Sequence, residues 1–266
     1  MHTDQEWTGK GAELVEKKWA KRLLLAALAA GVALMPGQEQ TRLRAAGGEA
    51  RVEVETGDLP LVALTFDDGP RNLTTGPLLE GLALREVPAT FFLVGYRIEG
   101  SEDLIREMAA AGHQIGVHTF DHTAVAGLSR RDFDLQVGKT RAVLTQLLGA
   151  GDYWLRPPYG IVDDTTRQWA DSPLVLWSVD PEDWKDSDTD RIVAAVLEHV
   201  EDGDIILMHD IYHSSVEAAL RIVDALLAEG YCFVTVEQLM TLRGAEPENG
   251  QTYTALPPEQ KRKTEY

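Results

Sequence analysis

The segment Leu61–Pro70 has the sequence LVALTFDDGP, in which six apolar or β-branched residues run directly into an acidic turn. A short apolar run that ends at turn-forming residues is typical of a strand buried on both faces. Asp, Gly and Pro form turns, so the strand is predicted to end at Phe66. Six further runs of this kind follow along the chain: Thr90–Val94, Gln114–Val117, Tyr153–Arg156, Leu174–Val179, Ile205–Met208 and Cys232–Val236.

The segments between these runs have apolar residues at helical spacing. Ser101, Ser129 and Ser214 stand where helix N-caps are expected, and Gly230 stands where the last helix should end. Alternating strands and helices predict a parallel sheet covered by helices. Seven such units favour an α/β barrel, with an open doubly wound sheet as the alternative. Either arrangement places the chemistry at the carboxyl ends of the strands.

Clusters of titratable residues follow five of the seven predicted strands. The clusters are Asp67-Asp68, His118 to His122, Arg156 to Tyr159, Asp180 to Asp183 and His209-Asp210. Each cluster alone is ordinary, since an Asp-Asp-Gly-Pro sequence is typical of a turn and two nearby histidines are common by chance. Because the carboxyl ends of parallel strands lie on one rim, the joint arrangement predicts a single active site there.

The two histidines of the second cluster predict a metal site. His118 and His122 offer two imidazole nitrogens, and a carboxylate from a neighbouring strand end would be the third ligand. Such a ligand set leaves positions open, which is the catalytic pattern for zinc, and the ion would polarise a carbonyl group and acidify water. Asp67 and Asp68 point to opposite sides of a strand, which suits one as ligand and the other as general base.

These clusters together resemble the polysaccharide deacetylase family, also known as the NodB-homology domain or carbohydrate esterase family 4. The five motifs of that family occur in order between residues 60 and 240. They are Thr65-Phe-Asp-Asp-Gly-Pro70, His118-Thr-Phe-Asp-His122, Arg156-Pro-Pro-Tyr159, Asp180-x-x-Asp183-Trp184 and Leu207-Met-His209. The resemblance implies a distorted (β/α)7 barrel. Val117 stands where many members have Asn, and this departure leaves every expected metal ligand in place.

The resemblance also implies which residues bind metal and activate water. Asp68, His118 and His122 would bind one divalent ion, with zinc favoured and cobalt or another divalent ion as the alternative. Asp67 would be the general base that takes a proton from water at the metal. Arg156 would orient Asp67.

The same resemblance implies the acid and the substrate-binding residues. His209 would be the general acid, and Asp183 would be its partner. The backbone N–H of Tyr159 would help to bind the developing oxyanion. Four residues in all would bind substrate: Tyr159, Trp184, Leu207 and Asp180.

The composition argues against several classes of protein. The chain has 266 residues, with 25 Lys and Arg against 43 Asp and Glu, and its formal net charge is -18. Nucleic acids and anionic membrane surfaces attract basic faces, so neither is expected as a partner of the folded domain. The single cysteine, Cys232, excludes an internal disulfide and a metal site built from several cysteines. No stable protein partner is expected.

The N-terminal residues predict export. A basic cluster between Lys17 and Arg22 precedes an apolar run from Leu23 to Met35, which is shorter than the roughly 20 residues of a membrane span. That pattern is typical of an export signal, with a short membrane anchor or a buried helix as the alternative. The predicted organisation is a signal or anchor at 1–35, a linker at 36–58, a deacetylase domain at 59–243 and a disordered polar tail at 244–266.

An exported member of this family would act outside the cytoplasm. The stretch Leu207–Arg221 is similar to bacterial members that act on peptidoglycan, so the predicted reaction is removal of its N-acetyl groups with release of acetate. A chitin-oligomer or acetyl-xylan deacetylase, and a hydrolase of a small cyclic amide or ureide, are the alternatives on this scaffold. A non-catalytic glycan-binding module predicts eroded ligands, and none is eroded. A glycosidase needs two carboxylates across a sugar ring, which adjacent Asp67 and Asp68 cannot provide.

Overall fold

Seven short strands form the centre of the structure, a computed structural model that describes residues 59–258. They are β1 (Leu61–Asp67), β2 (Thr90–Leu93), β3 (Gln114–Val117), β4 (Leu174–Val175), β5 (Asp204–His209), β6 (Cys232–Phe233) and β7 (Thr252–Tyr253). The signal or anchor expected at 1–35, the linker expected at 36–58 and residues 259–266 of the expected tail lie outside the described residues.

Eight α-helices accompany the strands in this described part of the chain. They are α1 (Asn72–Arg85), α2 (Glu102–Ala110), α3 (Arg130–Phe133), α4 (Lys139–Leu148), α5 (Asp164–Trp169), α6 (Thr189–His199), α7 (His213–Ala228) and α8 (Val236–Leu242). A π-helical turn, Asp134–Gly138, continues α3 into α4, and 3-10 turns occur at Gly95–Arg97 and Pro158–Gly160. Across residues 59–258, none of the helices combines the length and the apolar character that a membrane span requires.

The helix boundaries agree with two of the predicted signals. Ser129 caps α3, and its hydroxyl oxygen accepts a hydrogen bond from the N–H of Asp132 at 3.2 Å. Ser101 precedes α2 but makes no such bond with its side chain. Gly230 follows the end of α7 with a φ of 88°, which glycine adopts without strain. The predicted cap at Ser214 was wrong, because the helical backbone of α7 already begins at His213.

The strands close into a barrel. β1 pairs in parallel with β2 and β5, β3 extends the sheet from β2, and β6 pairs with the first two residues of β1. The remaining sides close through isolated parallel bridges: Leu155 pairs with Val117 and with Leu174, and Val179 pairs with Ile206. The predicted α/β barrel is therefore confirmed and the open sheet is excluded. It is distorted because three of its sides depend on single bridges.

The weak side of the barrel differs from the sequence prediction. Tyr153–Arg156 was predicted as a strand and makes only the bridges of Leu155, while the strand predicted at Leu174–Val179 keeps two residues. The reason is that the carbonyl groups of Val175 and Leu176 accept hydrogen bonds from the Arg156 guanidinium rather than from a neighbouring strand. The apolar pattern therefore predicted burial correctly and pairing incorrectly.

Residues 244–258 were expected to be disordered, and for these residues the expectation was wrong. Thr252–Tyr253 forms β7, which pairs in parallel with β4. The N–H of Leu174 donates to the carbonyl of Gln251, and the N–H of Leu176 donates to that of Tyr253, both at 2.8 Å. A strand of two residues is too short to leave a pattern in the sequence, and it forms because β4 offers a free edge.

The alternation along β1 decides which side chains reach the centre of the barrel. Val62, Leu64 and Phe66 belong to the large core between strands and helices, whereas Leu61 and Ala63 belong to a smaller core enclosed by the strands. Successive strand residues point to opposite faces, so Thr65 and Asp67 share the inner face with Leu61 and Ala63. The inner face therefore changes from apolar to polar towards the carboxyl end of β1.

Candidate active site

Two adjacent carboxylates stand at the carboxyl end of β1. Asp67 is the last residue of the strand and is buried, with 2% of its surface exposed. Asp68 has a φ of 73°, so the chain turns through a left-handed conformation that non-glycine residues seldom adopt. The turn separates the two side chains. Asp67 Oδ1 accepts a hydrogen bond from Arg156 Nη1 at 2.9 Å, and Asp68 Oδ1 lies 3.2 Å from His122 Nε2.

His118 follows β3 directly and is buried. Its Nδ1 lies 2.8 Å from the carbonyl oxygen of Arg156, and because a carbonyl only accepts, Nδ1 carries the proton. Nε2 then presents its lone pair to the carboxylates, 3.6 Å from Asp67 Oδ2 and 3.6 Å from Asp68 Oδ1. Burial lowers the pKa of His118 against the opposing charges of the two aspartates, which favours the neutral imidazole that a metal ion binds.

His122 reaches the same point from an irregular loop. It has a φ of 65°, and its ring centroid lies 5.0 Å from that of His118 and 4.8 Å from the ring of Tyr159, which it meets edge-on. Five of the six non-glycine residues with positive φ in the described part of the chain lie within the five sequence motifs: Asp68, Thr119, His122, Tyr159 and Glu182. Strained backbone of this kind is concentrated at functional sites, where side chains are held in particular orientations.

The residues present fit a divalent metal ion. Asp68, His118 and His122 each offer one ligand atom, and these atoms lie within 4.8 Å of one another. Asp68 Oδ1 is buried and accepts no hydrogen bond within the protein, which is a costly state for a carboxylate oxygen unless a cation meets it. The structure thus brings together the three residues predicted as ligands, and their binding of a metal stays a prediction.

Arg156 lies at the centre of the site with none of its surface exposed. Its guanidinium donates to Asp67 Oδ1, to the hydroxyl of Thr65 at 2.7 Å and to the carbonyls of Val175 and Leu176 at 3.1 and 2.9 Å. The ring of Phe92 stacks below it, 4.2 Å from the guanidinium carbon. A buried guanidinium with this many acceptors is itself held in place, and its hydrogen bond holds Asp67 in one orientation.

His209 stands beside Asp67, because the two residues are register partners on β5 and β1. Asp183 is buried, and its two carboxylate oxygens meet the ring Nδ1 and the backbone N–H of His209, both at 2.8 Å. Burial would lower the pKa of His209. The hydrogen bond and the charge of Asp183 outweigh it and, with the charges of Asp67 and Asp68, raise that pKa to about 9. His209 is therefore protonated at neutral pH.

The residues predicted to bind substrate differ in their exposure to solvent. Tyr159 and Trp184 are exposed, at 65% and 52%, whereas Leu207 is buried on the inner face of β5. Asp180 lies in an exposed turn, where its Oδ1 accepts a hydrogen bond from the N–H of Glu182 at 2.8 Å. Contact with substrate stays a prediction for all four residues.

Two polar residues at the site had no assigned role at the sequence level. The hydroxyl of Thr65 accepts from Arg156 and donates to the carbonyl of Ile206 at 2.6 Å, so it connects the cation to β5. Asp210 is buried, accepts a hydrogen bond from the Thr75 hydroxyl, and has a pKa raised to about 7 by burial. Both depend on contacts between distant parts of the chain, and no local pattern distinguishes them from ordinary strand and loop residues.

Asp210 and its neighbours tie the turn after β1 to the turn after β5. The Thr75 hydroxyl that donates to Asp210 also accepts from the N–H of Arg71 at 2.9 Å. Arg71 Nη1 donates to the carbonyl of Ile211 at 2.8 Å. The turn with the acidic pair and the strand end with His209 are therefore held in a fixed relation.

Comparisons with known proteins agree with this geometry. A family model described as polysaccharide deacetylase matches residues 55–172. The chain is 38% identical over 179 residues to the peptidoglycan-N-acetylmuramic acid deacetylase of Bacillus subtilis, across 67% of this chain and 38% of that protein. It is 44% identical over 155 residues to a chitooligosaccharide deacetylase of Sinorhizobium fredii, across 57% of this chain and 72% of that protein.

Solved structures give the same relationship. The structure of T48 deacetylase with substrate has a TM-score of 0.71 and 40% sequence identity to this chain. The similarity covers 75% of this chain and 99% of T48 deacetylase. This chain therefore spans nearly all of that deacetylase domain, but only 38% of the length of the Bacillus subtilis relative.

Gly69→Ala should disturb the turn that follows Asp68. A Cβ on Gly69 would overlap the carboxyl group of Asp210, and overpacking of this kind costs about 1–3 kcal/mol. Gly76→Ala in α1 is the matched control, because a Cβ there meets only Leu104 Cδ1 at 3.9 Å. Thermal unfolding and zinc titration should show lower stability and weaker zinc binding for Gly69→Ala alone. Equal behaviour of the two variants would contradict the packing described for this turn.

Proposed function

Since the chain belongs to the polysaccharide deacetylase family, we propose that it is a metal-dependent hydrolase that removes N-acetyl groups from a glycan and releases acetate. The observation that supports this most directly is the register pairing of Asp67 with His209, next to the cluster of Asp68, His118 and His122. That arrangement puts a candidate base, a candidate acid and a candidate metal site at one end of one barrel. A module that only binds glycan has no need of it.

Asp68, His118 and His122 would hold the metal ion in this proposal. Zinc is favoured because two imidazoles and one carboxylate form its usual catalytic ligand set, with cobalt as an alternative ion. When bound, such an ion supplies Lewis-acid chemistry by polarising the amide carbonyl and making water more acidic. His118 binds through Nε2, since its Nδ1–H is used on the carbonyl of Arg156.

Asp67 acts as the general base. Its Oδ1 is occupied by the hydrogen bond from Arg156, so the proton of the attacking water goes to Oδ2. That oxygen lies on the side of the metal cluster, 3.6 Å from His118 Nε2. Arg156 does not transfer a proton in this scheme. It keeps Asp67 correctly oriented before each turnover.

His209 acts as the general acid. The water oxygen bonds to the acetyl carbon and the carbonyl oxygen becomes an oxyanion; when the carbonyl re-forms, the C–N bond breaks and the departing nitrogen needs a proton. His209 supplies that proton from Nε2, because Nδ1 is hydrogen-bonded to Asp183. The pKa of His209, raised to about 9, keeps the proton available at neutral pH. The peptide N–H of Tyr159 is the proposed donor to the developing oxyanion.

The proposed substrate is peptidoglycan. One relative is a peptidoglycan deacetylase, and the exposed rings of Tyr159 and Trp184 offer flat apolar surfaces on which sugar rings pack. Chitin oligomers are the second candidate, because the Sinorhizobium fredii relative is a chitooligosaccharide deacetylase. Export is proposed from the basic cluster and apolar run at 17–35, since peptidoglycan lies outside the cytoplasm.

Acetate release tests the proposed function and its metal requirement together. Zinc-loaded protein should release acetate from peptidoglycan or N-acetylglucosamine oligomers, lose this activity on chelation and regain it with added zinc. His118→Ala should lose bound zinc and activity, because only one imidazole remains in the cluster. His213→Ala is the control, since His213 lies on the exposed start of α7 outside that cluster, and it should keep both.

Two outcomes of that experiment would overturn the proposal. Full activity in a metal-free preparation would exclude the metal-dependent mechanism. Hydrolytic ring opening of a cyclic amide or ureide, with no acetate from any glycan, would assign the fold to the alternative C–N hydrolase.

The pH dependence tests the acid. Activity should fall at alkaline pH as His209 loses its proton, near the pKa of about 9. Asp183→Asn removes the charge that raises this pKa while burial still lowers it, so the alkaline limb should move to lower pH. A shift on the order of 1–3 pH units is expected for loss of a neighbouring opposite charge. Rate profiles of the two proteins with the same glycan measure it. An unmoved alkaline limb in Asp183→Asn would exclude His209 as the acid.

A further inference from the structure

The turn that holds Asp183 is strained. Glu182, the residue before Asp183, has a φ of 51°, a left-handed conformation that is strained at a non-glycine residue. The N–H of Glu182 donates to Asp180 Oδ1 at 2.8 Å, which stabilises the turn from one side. Because Asp183 makes two hydrogen bonds to His209, a small change in this turn would alter both of them. Such a turn needs a second, stiffer support.

Arg191 provides that support from α6. Its Nη1 donates to the carbonyl of Pro181 at 2.8 Å, and its Nη2 donates to the carbonyl of Glu182 at 3.0 Å. Both acceptors lie within two residues of Asp183. Nε forms an ion pair with Asp186 at 2.8 Å.

The helix behind Arg191 is itself firmly placed. The side chain of Asp188 caps α6 by accepting from the N–H of Arg191 at 3.1 Å. Ile192, Val193 and Val196 bury the inner face of α6 in the main core. The forked guanidinium therefore connects a fixed helix to two consecutive carbonyl groups, which an ammonium group cannot do with the same geometry.

We propose that Arg191 is a positioning residue for the acid step: by holding the carbonyls of Pro181 and Glu182, it keeps Asp183 hydrogen-bonded to His209. The role rests on the proposed function, in which His209 protonates the leaving nitrogen. Arg191 touches neither His209 nor the metal cluster in this scheme. Its effect passes through the backbone of the turn.

An arginine with only a structural role would affect stability alone, so the test measures the titration of the His209 ring. Full-length, zinc-loaded protein is titrated by NMR on the His209 ring, assigned by comparison with His209→Gln. Wild type is compared with Arg191→Ala and Arg191→Lys. Asp186→Asn is the matched control, because it removes the ion pair at Nε and leaves both carbonyl hydrogen bonds in place.

Arg191→Ala should titrate His209 at lower pH, because Asp183 is no longer held against it. The alkaline limb of acetate release should move in the same direction, with about a 10- to 100-fold loss of rate on glycan, the size expected for a displaced catalytic group. Aryl acetates, whose leaving group needs no proton, should be largely spared. Arg191→Lys should be intermediate, and Asp186→Asn should resemble wild type.

Two results would overturn the role of Arg191. One is an unchanged His209 titration and rate profile in folded Arg191→Ala. The other is a titration at higher pH, which would mean that Arg191 acts only through its charge. If Arg191→Ala does not fold, Arg191→Lys decides by the same readings. The titration needs no substrate, so it tests the role of Arg191 even if the wild type releases no acetate. Failure of the wild type to release acetate would count against the proposed function alone.

Discussion

The buried ion pair between Arg156 and Asp67 is the interaction on which the site depends. A guanidinium without solvent contact is tolerated only because Thr65, Asp67 and two carbonyl groups accept hydrogen bonds from it. Removing either charge would leave the other uncompensated inside the barrel, at a typical cost of about 3–5 kcal/mol. The same residue also presents its backbone carbonyl to His118. Arg156 thus orients the candidate base with its side chain and fixes the tautomer of a candidate metal ligand with its backbone.

Two histidines of the site are driven to opposite protonation states by their surroundings. His118 is buried with a carbonyl acceptor at Nδ1, and burial lowers its pKa, which favours the neutral form that binds metal. His209 is also buried, but the carboxylate of Asp183 raises its pKa to about 9 and keeps it cationic. In the proposed mechanism one residue type therefore serves as a ligand in one place and as an acid in the other, and the difference is the partner of Nδ1.

The barrel and the site motifs can be predicted from the sequence because both leave local patterns in it. Apolar runs followed by polar clusters identify the strand ends, and the structure places Asp67 and His209 side by side there. Features that depend on contacts between distant residues leave no such local pattern and could not be predicted. Thr65, Asp210 and Arg191 act through partners that are distant in the chain or in another element. The two-residue strand β7 exists only because β4 has an edge to fill.

In the proposed mechanism the two adjacent carboxylates have separate tasks: Asp68 would bind the metal ion, and Asp67 would take a proton from the attacking water. His118 Nε2 lies 3.6 Å from an oxygen of each, so distance to that histidine does not separate them. The hydrogen bond from Arg156 to Asp67 separates them, because Asp68 Oδ1 accepts no hydrogen bond and lies 3.2 Å from His122 Nε2 instead. An anomalous difference map from crystals of the zinc-loaded protein tests this most directly. We expect one zinc peak bound to Asp68, His118 and His122, with Arg156 still hydrogen-bonded to Asp67. Zinc bound by Asp67 in place of Asp68 would contradict it.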